Sequence, residues 1–68
     1  MNSKAFIRRA RRYAKRHDLA FHFDARKGKG SHGCLFLGEK LTTVKHGNIS
    51  TGLIRKMLRD LCIDTEEF

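Results

Sequence analysis

His32 is the side chain in this sequence best equipped for chemistry. It follows Gly28-Lys29-Gly30-Ser31 and precedes Gly33 and the apolar run Cys34-Leu35-Phe36-Leu37, so one imidazole stands among cations and pliable backbone where a hydrophobic segment begins. A histidine exchanges its proton near neutral pH and can therefore take or give one during phosphoryl transfer. Lys27 and Lys29 would hold the phosphate and offset the negative charge its oxygens gain in the transition state. A glycine-rich turn followed by histidine also serves as a plain strand connection, and residues 28–33 fit neither the phosphate-cradling loop nor the dinucleotide fingerprint. Among the other histidines, His17 reads as structural and His22 as a surface residue. His32, Cys34, His46 and Cys62 match no recognised zinc spacing, so neither a metal nor a cofactor is expected.

Elements that could position His32 are legible on both sides of it. On a helical wheel over residues 4–16, Phe6, Ile7, Ala10, Tyr13 and Ala14 fall in one arc, while Lys4, Arg8, Arg9, Arg11, Arg12, Lys15 and Arg16 occupy the other. Asn2 or Ser3 can cap this helix, and His17 falls near its C-terminus, where the helix dipole favours positive charge. Leu19, Phe21 and Phe23 alternate with polar or small residues as in a half-buried strand. Cys34–Leu37 reads as a second strand and Leu41–Val44 as a third, joined by a tight connection at Gly38-Glu39-Lys40. In the second strand His32, Cys34 and Phe36 share one side and Leu35 and Leu37 the other, and both sides are apolar enough to face a core. Leu53, Ile54, Met57, Leu58 and Leu61 then mark a second amphipathic helix, capped by Ser50 or Thr51. The order predicts an α+β domain, α-β-β-β-α, with a three-stranded antiparallel sheet, two helices on one face and the other face open.

Charge narrows the class of partner. The chain has 68 residues, fifteen Lys and Arg against seven Asp and Glu, and a formal net charge of +8. A body this small buries only about 60% of its unfolded surface and has no room for a separate cofactor domain. Its positive field suits nucleic acid first, with acidic proteins and anionic lipids as weaker fits. Residues 1–16 carry seven cations and no acid, whereas Asp60, Asp64, Glu66 and Glu67 crowd the other end, so a two-sided charge distribution is expected. Cations at i,i+4 repel one another, which points the first helix toward an anionic ligand; the alternative is a solvated charged face. Membrane binding is disfavoured because the apolar arc is rich in alanine and lacks Trp and Leu anchors. Two cysteines outside any C-x-x-C pair suggest free thiols in a reducing, cytosolic compartment. No secretory signal is visible, and the chain is expected to be mature as written.

With these residues in order, nearly the whole chain resembles the HicA-type toxins of bacterial toxin–antitoxin pairs, small ribonucleases with a double-stranded-RNA-binding-like fold. Gly28-Lys29-Gly30-Ser31-His32-Gly33 is similar to the family's glycine and Ser-His signature at the second strand, and Thr43-Val44-Lys45-His46 to the end of its third. Gly52-Leu53-Ile54-Arg55-Lys56-Met57-Leu58 resembles the glycine-led final helix, and Asp64-Thr65-Glu66-Glu67-Phe68 the segment after it. The chain lacks the family's proline near Val44 and has Leu53 in place of a usual threonine. The resemblance implies His32 as the catalytic residue, messenger RNA as substrate, a bacterial cytoplasmic location, and a HicB-type antitoxin that covers the site. A monomer when free and a hetero-complex with the antitoxin are expected.

The reaction that follows is attack of a ribose 2′-hydroxyl on the adjacent phosphorus, with His32 as general base or acid and no metal. One histidine does not comfortably serve as both, so His46, a lysine or water would supply the second proton transfer. Lys27, Lys29, Ser31, Lys45, His46, Arg8 and Arg12 are the expected RNA and phosphate contacts. The rival is a non-catalytic RNA-binding module of the same architecture, reading duplex shape through phosphates and 2′-hydroxyls. Against it, Asn48-Ile49-Ser50-Thr51-Gly52 opens the second helix without a cation. A third reading is a domain that docks an acidic protein.

Overall fold

Asn2 begins the first helix. Its side chain accepts a hydrogen bond from the Ala5 amide at 2.8 Å and so satisfies one of the donors a helix start leaves open. The computed structural model describes residues 1–26 and 32–68, and in them α1 runs Ser3–Arg16, β1 Phe21–Asp24, β2 His32–Leu37, β3 Lys40–Lys45 and α2 Thr51–Asp60. The sheet is antiparallel in the order β1-β2-β3. Gly38, at φ 60°, and Glu39 link β2 to β3 directly, and the positive φ falls on the residue type that adopts it without strain. Ser50 caps α2 by accepting from the Leu53 amide at 3.3 Å.

Both helices pack on one sheet face, as the order of elements predicts. Phe6 and Ala10 of α1, Leu35 and Val44 of the sheet, and Met57 and Leu58 of α2 meet in one buried core. The ambiguity in β2 is settled by this packing: Gly33, Leu35 and Leu37 are buried against the helices, and His32, Cys34 and Phe36 stand half-buried on the opposite face. The alternation continues across the register, with Thr42 and Val44 of β3 turned to the core and Thr43 and Lys45 exposed. Leu19 lies outside β1 and is 41% exposed, so the first strand begins two residues later than the alternation suggested.

Two sets of hydrogen bonds tie the helices to the sheet. The Ser3 amide donates to the Gly47 carbonyl at 2.8 Å, the Gly47 amide donates to Ser3 Oγ at 3.2 Å, and the Ile49 amide donates to the Met1 carbonyl at 2.7 Å. These pin the start of α1 beside the end of β3. Farther along β3, Thr42 Oγ1 donates to Asp60 Oδ2 at 3.0 Å, and Lys56 Nζ reaches the same oxygen at 3.0 Å. One of the acids near the C-terminus returns to α1: the Glu67 carboxylate lies 3.1 Å from His17 Nε2 and its carbonyl accepts from Arg16 at 3.3 Å. Phe68 follows it onto the Phe6 ring, 5.0 Å between centroids, with the Arg9 guanidinium 5.1 Å away. No helix among the described residues is long and apolar enough to cross a membrane.

Candidate active site

His32 is the first residue of β2, half-buried on the sheet face against which neither helix packs. Its register partner is Lys45, the last residue of β3, exposed on the same face. Directly opposed residues of an antiparallel pair hold their Cβ atoms about 5 Å apart, so an imidazole and an ammonium share one end of the sheet, in reach of a single phosphate. Beyond them on this face lie Cys34, a free thiol, and Phe36, whose ring is 5.9 Å from that of exposed His22.

His46 follows Lys45 in the chain. It lies one residue past β3 and lines a cavity of about 360 Å³ on the helix side of the sheet, together with Gly33, Val44 and the α1 residues Ser3 and Lys4. His32 is not among the residues that line this cavity. Lys45, and not His46, is the register partner of His32.

Arg8 and Arg12 are exposed on the outward side of α1, with the core arc between them and the sheet, so the structure does not bring them beside His32. Arg12 instead shares a small recess with Arg9, Arg16 and Glu67. Lys27, Lys29 and Ser31 lie outside the described residues. Phe23, which periodicity presents as a plain core residue, is half-buried and also lines the His46 cavity. Its proximity to Gly33 was not readable from spacing: a Cβ at residue 33 would lie 2.6 Å from Phe23 Cζ. Among the described residues no group of three or more His, Cys, Asp and Glu converges as metal ligands would. Searched against protein-family models, curated proteins and solved structures, the chain matches none of them.

Proposed function

We propose that this domain is an endoribonuclease of the HicA toxin type, cutting messenger RNA without a metal and held in check by a HicB-type antitoxin. One observation carries the reading: the single histidine of the Ser-His signature is neither sealed in the core nor remote from charge, but half-buried at the sheet's open face with Lys45 as its cross-strand partner. His32 takes the proton of a ribose 2′-hydroxyl, and that oxygen attacks the adjacent phosphorus. The bond to the 5′-oxygen breaks, and this oxygen leaves with a proton from Lys45 or water. The products are a 2′,3′-cyclic phosphate and a 5′-hydroxyl, and the Lys45 ammonium offsets the charge gained by the phosphoryl oxygens.

The reading is tested with His32→Ala, verified as folded by circular dichroism. General acid–base catalysis contributes about 10²-fold or more, so the variant is expected to lose at least that much cleavage rate and to stop arresting growth when expressed. Cleavage by the parent is expected to persist in excess chelator. A variant that cuts RNA at the parental rate removes His32 from the reaction. RNA shifted intact by the parent itself leaves the non-catalytic binding module in its place.

A further inference from the structure

We infer that the cavity between the start of α1 and the end of the sheet takes one unstacked nucleobase of a single-stranded RNA, beside the phosphate attacked at His32. The inference deepens the ribonuclease reading and rests on it. At about 360 Å³ the cavity falls within the range of small-ligand sites. Ile7 and Val44 give it aliphatic walls and Phe23 an aromatic one, while exposed Lys4 and His46 stand at its rim. An aromatic slot bordered by cationic or protonatable groups is complementary to a nucleotide, which has a π-face to stack and a phosphate to neutralise.

Its position relative to His32 is set by the two strands. Gly33 lines the cavity and is the chain neighbour of His32; Val44 and His46 line it and flank Lys45. A nucleic acid strand crossing the end of the sheet passes from the His32 and Lys45 face to the cavity over one residue of each strand. Gly33 makes the wall possible, because any side chain there would collide with the Phe23 ring. A base that is paired and stacked in a duplex cannot enter such a slot without being extruded, which costs unstacking energy. The substrate is therefore single-stranded at the cut, and His46 is a rim group for the neighbouring nucleotide instead of the second proton carrier.

The experiment uses full-length His32→Ala protein, which leaves RNA intact, and a single-stranded RNA hexamer carrying one 2-aminopurine, alone and annealed to its complement. Affinity is read by anisotropy and base environment by 2-aminopurine emission. The single strand is expected to bind with a change in emission, and the duplex at least about tenfold more weakly without one. Ala25 is exposed on the cavity wall, so Ala25→Trp obstructs the slot from outside the core; Phe23→Leu keeps an apolar wall and removes the ring. Each is expected to weaken single-strand binding, Ala25→Trp by about tenfold or more, with circular dichroism confirming the fold. Equal binding of single strand and duplex, or parental affinity in both variants, overturns the pocket. Cleavage by His32→Ala would instead overturn the catalytic reading, so the two failures are distinguishable.

Discussion

At residue 33 any side chain meets the Phe23 ring. A Cβ there would lie 2.6 and 2.9 Å from two Phe23 ring atoms and 3.1 Å from the Asp24 carbonyl, so the half-buried ring, which packs against the core, must shift to admit it. Gly33→Ala is accordingly expected to destabilise the domain by about 1–3 kcal/mol, the usual cost of overpacking, measured by chemical denaturation. A loss well below that range would mean that the ring swings aside freely and is a poor wall for the cavity. His32 could be singled out from the sequence because its chemistry depends on residue type, and type is visible without a fold. Its face could not: Cys34 and Phe36 are as apolar as Leu35 and Leu37. The choice is made by packing, since Gly33 shares a side with the two leucines and gives Phe23 room against the helices.

The elements themselves were largely legible, because Phe6, Ala10 and Tyr13 in α1, and Leu53 and Met57 in α2 with Leu61 at its C-cap, repeat at helical spacing and bury as that spacing requires or pack at the edge of the core. Their ends were less so. Both helices stop at a residue in the left-handed region that is not glycine: Asp18 at φ 54° and Cys62 at φ 57°. The Leu19 amide closes onto the Ala14 carbonyl at 2.8 Å, and the Ile63 amide onto that of Leu58 at 2.9 Å. A Cβ in this conformation is strained, so Cys62→Gly is expected to stabilise the fold by about 0.5–1 kcal/mol, seen as a raised thermal midpoint. The attachment of α2 to β3 runs through one carboxylate, that of Asp60. Lys56 chiefly, and then Thr42, hold the Asp60 carboxyl below its ordinary value of 3.8 by hydrogen bonding to it. A carboxyl with a depressed folded value contributes stability that is present above the unfolded value and lost as pH falls through the folded one. Asp60→Asn is therefore expected to lower the thermal midpoint near neutral pH, and the gap from the parent is expected to shrink on acidification below about pH 4. A gap independent of pH would show that the carboxylate's charge is not what links helix to strand.

Across the molecule, among the described residues, the exposed cations of α1 and the candidate chemistry occupy different surfaces. His32 and Lys45 mark one end of the open sheet face, whereas Arg8 and Arg12 project from the far side of the helix layer, and the domain spans 17 Å along its shortest dimension. The sequence shows how much charge there is but not this division, nor the return of Glu67 onto α1, because both depend on how distant segments meet in the fold. On the proposed ribonuclease reading, a short RNA at the sheet end would not reach α1's outer face, whereas a longer one would wrap around the domain and gain contacts there. Each phosphate contact to a single strand steepens the fall of log K with log salt concentration by about 0.7, so losing two should flatten the slope by about 1.4. The double variant Arg8→Ala/Arg12→Ala is thus expected to flatten the slope for a long single-stranded RNA by about that amount, irrespective of base sequence, and to weaken a trinucleotide far less. Titrations of both RNAs across a salt series check it. Equal loss for the two lengths would place the arginines at the His32 end after all, and no loss for either would make the outer face of α1 a solvated surface that takes no part in holding RNA.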